Sequence, residues 1–116
     1  MEVPLKLSFH GLDASDAVEA RVRERIARLE RHNGRITSCR VMIDSGHHHG
    51  RKGHLYKVAG DIGVPGATLV VDRAPDAAQD PADVYVALRD AFDAMDRKLA
   101  EHVRRVRDAG KHGGEI

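Results

Sequence analysis

Apolar residues occupy every second position near the start of the chain. They are Val3, Leu5, Leu7 and Phe9. This period of two predicts a strand with one buried face. Pro4 cannot donate a hydrogen bond to a neighbouring strand, so it indicates a strand start or an edge strand.

The spacing then changes to that of a helix. The apolar positions are Val18, Val22, Ile26 and Leu29. This stripe predicts an amphipathic helix that ends near His32 and buries its apolar side. Asp13 or Ser15 can cap its start, and Asn33-Gly34 is typical of a helix end.

Three more strands are predicted after this helix. Their apolar positions are Cys39, Val41 and Ile43, then Tyr56, Val58, Ile62 and Val64, then Leu69 and Val71. The stretch Val64-Pro65-Gly66-Ala67 predicts a tight turn between the last two strands. The segment GHHHGRKGH, residues 46–54, therefore joins the second and third strands.

A second helix completes the chain. Residues 73–83, RAPDAAQDPAD, contain two prolines and predict a surface connection, after which Pro81 suits a first helical turn. The helical stripe is Val84, Leu88, Phe92, Met95, Leu99, Val103 and Val106. Tyr85 is expected in the core, with a semi-exposed position as the alternative, and Asp90, Asp93 and Asp96 are expected on a solvated face. The order β-α-β-β-β-α predicts one α+β domain over residues 1–108, with a flexible tail over residues 109–116.

Charge is unevenly distributed although the formal net charge is only +1. Helical spacing places four bases of the first helix in one row: Arg21, Arg25, Arg28 and His32. The second helix carries another row, Lys98, His102 and Arg105, with Arg97, Arg104 and Arg107 nearby. Basic helix faces are often only solvated, and cations near a helix end also complement its dipole. Two such rows, together with Arg51 and Lys52, favour a phosphate-rich partner.

The histidine-rich segment could form a metal site, a catalytic site or a basic loop. In an extended arm His47 and His49 point to one side and His48 to the other, and no acid or cysteine adds a ligand. We therefore expect no bound metal, and either a basic loop that touches nucleic acid or a plain solvated loop. The only cysteine, Cys39, lies mid-strand, where an inert core thiol is expected. We expect neither an enzyme nor a cofactor.

Two stretches resemble a known family. RIARLERHNGRITSCRVMID contains Arg28-Leu29-Glu30-Arg31-His32, and ADVYVALRDAFDAMDRKLAEHVRRVR begins with Asp83-Val84-Tyr85 after one alanine. Both are similar to the ribosome hibernation promoting factors, also called the sigma-54 modulation or ribosome-associated inhibitor family. The resemblance extends over about residues 3 to 107.

The resemblance implies a four-stranded sheet with two helices on one face, like a double-stranded-RNA-binding domain. It also implies binding to the small ribosomal subunit in the channel used by mRNA and tRNA, which blocks translation in starved or stationary cells. With the charge pattern, it gives these candidate RNA-binding residues: Arg21, Arg25, Arg28, Arg31, His32, Arg51, Lys52, Arg97, Lys98, His102, Arg104 and Arg105.

We further expect a short-form, cytoplasmic bacterial protein that is monomeric when free. Its partner would be ribosomal RNA of the small subunit, with no membrane and no small-molecule substrate. The family name and the acidic segment 72–83 leave one alternative, a modulator of sigma-54 transcription that acts through protein contacts.

Overall fold

The computed structural model describes residues 3–46, 55–72 and 83–113. Within these ranges the elements are β1 (Leu5–His10), α1 (Asp16–Asn33), β2 (Ser38–Gly46), β3 (Leu55–Val64), β4 (Ala67–Asp72) and α2 (Val84–Gly113). Four strands and two helices confirm the α+β class that the sequence predicts.

The four strands form one sheet in the order β1-β2-β3-β4. β1 lies parallel to β2, and the other two pairs are antiparallel. A parallel neighbour requires a crossover, which α1 provides between β1 and β2. Pro4 immediately precedes β1, which is an edge strand, so it occupies the position expected of a residue without an amide proton.

Each end of α1 has a specific backbone cap. Of the two candidates, Ser15 caps the start: its Oγ accepts a hydrogen bond from the Val18 amide at 3.2 Å. At the other end Gly34 has φ 89° and donates its N–H to the Glu30 carbonyl at 2.9 Å. A positive φ favours glycine, so the helix ends where the sequence predicts.

Both helices cover the same face of the sheet and form one core with it. The most deeply buried side chains are Ile43, Ile62, Leu88, Met95, Leu99, Val22, Val41 and Val58. Gly60 of β3 lies under Met95 of α2, and a Cβ atom at this glycine would collide with the end of the Met95 side chain. The missing side chain therefore lets α2 pack closely against β3.

The opposite face of the sheet is open to solvent. Lys6, Arg40, Asp61 and Val70 form one cross-strand row on it. Met42 is 43% exposed and Val70 51% exposed on this face. Because this face carries three bases, Lys6, Arg40 and Lys57, and three acids, Asp44, Asp61 and Asp72, it is not a basic surface.

α2 begins and ends differently from the sequence-based expectation. Asp83 caps its start, since the Asp83 carboxylate accepts a hydrogen bond from the Tyr85 amide at 2.8 Å. The helix continues to Gly113, into the region where the sequence predicts a tail. Flexibility of that last stretch stays a prediction. Pro81 and most of the connection before α2 lie outside the described residues.

Candidate nucleic-acid interface

α1 and α2 lie side by side and run in the same direction. At one end of their seam the Arg21 guanidinium carbon lies 5.0 Å from the centre of the Tyr85 ring. At the other end Asn33 Nδ2 donates a hydrogen bond to Asp96 Oδ1 at 2.7 Å. Both contacts advance in the same chain direction along the two helices, so the seam is parallel.

The basic row of α1 follows this seam. His32 lies at the other end of the row from Arg21, and its Nδ1 is 3.6 Å from Asp96 Oδ1. Between them Arg25 is half-buried and Arg28 is exposed. Within the described ranges neither Arg25 nor Arg28 forms an ion pair, so their charges remain available to a partner.

The bases of α2 differ in what they already contact. Arg105 pairs with Glu101, and this hydrogen-bonded guanidinium lowers the pKa of the Glu101 carboxyl below its ordinary value. Lys98 Nζ donates a hydrogen bond to the carbonyl of Val70. Considering only the part of the chain that the structure describes, Arg97 and Arg104 are exposed and form no ion pair, although the charge of Arg104 also contributes to lowering the pKa of Glu101.

Lys98 faces the sheet edge and not the helical seam. At 3.6 residues per turn it lies roughly 140° around α2 from Tyr85. It borders a groove of about 440 Å³ between α2 and β4 that also carries Asp72, Asp90, Asp93 and Arg97. Acids and bases are therefore mixed beside Lys98, and its row on α2 is separate from the basic row of α1.

Four exposed arginines lie on the last turns of α1 and on α2 from Asp96 onward. We call this group the basic end of the helical layer, and its members are Arg28, Arg31, Arg97 and Arg104. The contacts of Asn33 and His32 with Asp96 place the end of α1 next to this part of α2. Arg35 is exposed just after Gly34 and is missing from the sequence-based set; its position after the helix-ending glycine was the available signal.

Tyr85 corrects the sequence-based expectation, because it is 37% exposed and not in the core. Its position on α2 is in line with Arg89 and Asp96, whereas the buried stripe contains Leu88 and Met95. Helical spacing alone could have shown this difference.

Asp96 is the second correction. It is half-buried and bridges the two helices through Asn33, so it does not belong to a plain solvated face.

The remaining predictions concern the histidine-rich segment, a metal site and His102. Arg51, Lys52 and the histidines at 47–49 lie outside the described residues. In the described ranges, no group of three or more His, Cys, Asp or Glu residues is placed to hold a metal ion. His102 is half-buried on α2.

Cys39 lies in the core as predicted. Burial, and secondarily the charge of Asp61, raises the pKa of the Cys39 thiol to about 11. A thiol with this pKa is protonated at neutral pH and is a poor nucleophile.

Among the described helices none has the length and apolar character needed to cross a bilayer.

Comparison with known proteins gives consistent matches. Residues 5–107 match the family described as sigma 54 modulation protein / S30EA ribosomal protein. The chain is 34% identical over 98 residues to the ribosome hibernation promoting factor of Azotobacter vinelandii, covering 84% of this chain and 80% of that protein.

Two solved structures share the fold. The N-terminal domain of Thermus thermophilus Protein Y superposes with a TM-score of 0.65 at 21% identity, covering 88% of this chain and 99% of that chain. A ribosomal subunit interface protein from Coxiella burnetii gives a TM-score of 0.66 at 15% identity, covering 86% of this chain and 97% of that chain.

Proposed function

Because the chain belongs to the sigma 54 modulation protein / S30EA ribosomal protein family, we propose that it is a hibernation factor that binds the small ribosomal subunit. The relative from Azotobacter vinelandii is named for ribosome hibernation, and the Coxiella burnetii protein is described as a ribosomal subunit interface protein. Ribosome association is therefore the function that these relatives support. The finer proposal is that the chain contacts ribosomal RNA in the mRNA and tRNA channel and inhibits translation under stress.

The observation that carries the RNA proposal is the basic end of the helical layer. Its arginines are exposed and, within the described ranges, form no ion pair. Binding RNA phosphates there releases counterions without first breaking an ion pair. We propose Arg28, Arg31, Arg97 and Arg104 as principal contacts, with Arg25 beside them.

The remaining candidate residues of the helices have weaker support. Lys98 and Arg105 must exchange their Val70 and Glu101 partners before they can hold a phosphate. Arg21 and His32 already contact Tyr85 and Asp96. His102 is only half-exposed. We propose these residues as secondary contacts.

The arrangement of layers supports the same orientation on RNA. Two helices on one face of a sheet resemble the double-stranded-RNA-binding domain, which recognises RNA mainly by shape and through phosphate and 2′-hydroxyl contacts. The open sheet face carries three bases, Lys6, Arg40 and Lys57, and three acids, Asp44, Asp61 and Asp72, so it offers a polyanion little net attraction. We propose that the helical layer faces the RNA and the open sheet face points away.

Modulation of transcription through protein contacts is the second candidate function. The exposed apolar side chains of Met42 and Val70 on the open sheet face favour it, since protein interfaces use such side chains more than RNA does. This function would use the opposite surface of the molecule.

Sedimentation with purified small ribosomal subunits tests the proposal. We expect the protein to comigrate with subunits at low salt and to dissociate as salt rises. The logarithm of the binding constant should fall against the logarithm of salt with a slope of roughly −0.7 to −0.9 per phosphate contact. Protein that stays at the top of the gradient at low salt would contradict the proposal, and copurification with RNA polymerase or a sigma factor would support the second candidate.

A further inference from the structure

Tyr85 is the only one of the four aromatic side chains that is exposed. Phe92 is buried, and Phe9 and Tyr56 are half-buried. The chain contains no tryptophan and only two tyrosines and two phenylalanines. At 37% exposure, Tyr85 can be reached by a ligand on the helical layer that carries the basic row of α1.

Hydrogen bonds in the first turn of α2 fix the backbone that carries this ring. The Asp83 carboxylate accepts the Tyr85 amide at 2.8 Å, and the Asp83 carbonyl accepts the Ala87 amide at 3.1 Å. The Arg21 guanidinium lies over the ring with its carbon 5.0 Å from the ring centre. Two planar groups from different helices are thus held together at the surface.

The charge around this pair favours a neutral ligand over a phosphate. Glu24 Oε2 lies 3.8 Å from Arg21 Nε and offsets part of the guanidinium charge. Arg25 and Arg28 follow Arg21 in the same row and, among the described residues, carry no such acid. A bound nucleotide could therefore place its phosphate toward Arg25 and Arg28 and its base on the pair.

We propose that Arg21 and Tyr85 form a stacking platform for an unpaired RNA base. Bases stack on tyrosine rings and on arginine guanidinium planes, and this stacking tolerates different sequences because every base has a π-face. The proposal rests on the proposed binding to small subunits and adds a contact that does not depend on phosphate charge.

Affinity for purified small subunits, measured over a series of salt concentrations, gives the first test. Tyr85→Leu should weaken binding roughly 5- to 150-fold, the range found for loss of one stacked base, with an unchanged salt slope. Tyr85→Phe keeps the ring and should restore most of the affinity. Arg28→Ala is the matched phosphate-contact variant, and it should make the salt slope shallower.

Tyrosine fluorescence gives the second test without altering the platform. In Tyr56→Phe, Tyr85 is the only tyrosine and there is no tryptophan, so the emission reports on Tyr85 alone. At low salt a short oligoadenylate should quench this emission, whereas an abasic oligomer of the same length and charge should bind more weakly and leave it bright.

The possible outcomes separate this proposal from the proposed function. If the unaltered protein fails to bind subunits, the proposed function is lost. If it binds and Tyr85→Leu binds equally well, only the platform is wrong.

If Tyr85→Leu weakens subunit binding but bound oligoadenylate fails to quench Tyr85, the ring does not stack on a base and the proposal is overturned. Equal quenching by the abasic oligomer would also overturn the proposal. Because Tyr56→Phe retains both platform residues, the fluorescence test stands even if Tyr85→Leu fails to fold.

Discussion

Arginines on this surface differ in whether they already form an ion pair within the protein. Arg105 pairs with Glu101 on the same helix, whereas Arg28 and Arg104 have no ion pair within the described ranges. An exposed ion pair contributes only about 0 to 1 kcal/mol, so a phosphate can displace Glu101 at modest cost. An arginine without an ion pair binds a phosphate with no such loss. We therefore expect Arg28 and Arg104 to contribute more to RNA affinity than Arg105.

Buried Cys39 leads to a prediction about stability at alkaline pH. Burial raises the pKa of this thiol from 9.0 to about 11 in the folded protein. As pH rises from 9.0 towards 11, the unfolded chain loses the thiol proton while the folded chain keeps it. Proton loss favours the unfolded state in that window, so the free energy of unfolding should fall with pH.

The comparison variant is Cys39→Ala, which has no thiol to titrate. Urea unfolding should show that the original protein loses more stability than Cys39→Ala across this window, and iodoacetamide should modify Cys39 only when urea unfolds the chain. Parallel loss of stability in both proteins, or rapid modification of the native thiol, would show that Cys39 is accessible.

At the scale of the elements, local patterns predict most of the fold and miss the contacts between helices. The Ser15 cap, the Gly34 end and the turn at Pro65-Gly66 each depend on a few neighbouring residues, and all three are present. The position of Tyr85 depends on where α1 packs against α2. Sequence spacing gives the side of α2 on which Tyr85 lies, but it does not reveal that Arg21 covers that side.

In the candidate site, too, local sequence patterns predict some features and miss those that depend on contacts between elements. The basic row on α1 was predicted from helical spacing, and the structure places it along the seam with α2. The separation of Lys98 from this row was not predicted, because it depends on β4 lying beside α2 and offering the Val70 carbonyl. Charge counts along the sequence do not contain this information.

Asn33 and Asp96 should couple the two helices energetically. Asn33 Nδ2 donates to Asp96 Oδ1 at 2.7 Å and also to the Leu29 carbonyl at 3.1 Å, and both side chains are half-buried. A hydrogen bond to a charged group contributes about 1.5 to 3 kcal/mol, and partial exposure places this one near the lower limit. Each single alanine variant should therefore be destabilised by roughly 1 to 2 kcal/mol.

A double-mutant cycle of Asn33→Ala and Asp96→Ala, measured by urea unfolding, isolates this coupling. The matched control is the exposed pair Arg23 and Glu19, which lie 3.4 Å apart within α1 and should couple by only about 0.3 to 0.5 kcal/mol. If the two cycles give equal coupling, the bond between Asn33 and Asp96 does not fasten α1 to α2.

For the whole molecule, the decisive feature is that its two faces have different charge. The helical layer carries exposed acids such as Glu24 and Glu101, but the arginines of its basic end form no ion pair within the described ranges. On the open sheet face the bases Lys6, Arg40 and Lys57 are balanced by Asp44, Asp61 and Asp72. A formal net charge of +1 therefore hides a directional surface. Because charges are screened over about 8 Å at physiological ionic strength, RNA held on one face is affected little by the other.

Charge reversal on each face tests this directionality. Arg28→Glu and Lys6→Glu both replace an exposed base by an acid, but Arg28 belongs to the helical layer and Lys6 to the open sheet face opposite Arg40. Arg28→Glu should weaken binding to purified small subunits about tenfold or more, and should make the salt slope shallower by roughly 0.7 to 0.9 because one phosphate contact is lost. Lys6→Glu should leave affinity and slope nearly unchanged.

Both variants should unfold within about 0.5 kcal/mol of the original protein, since surface substitutions rarely do more. Equal losses of affinity would mean that RNA responds only to the total charge, and a larger loss from Lys6→Glu would place the interface on the sheet.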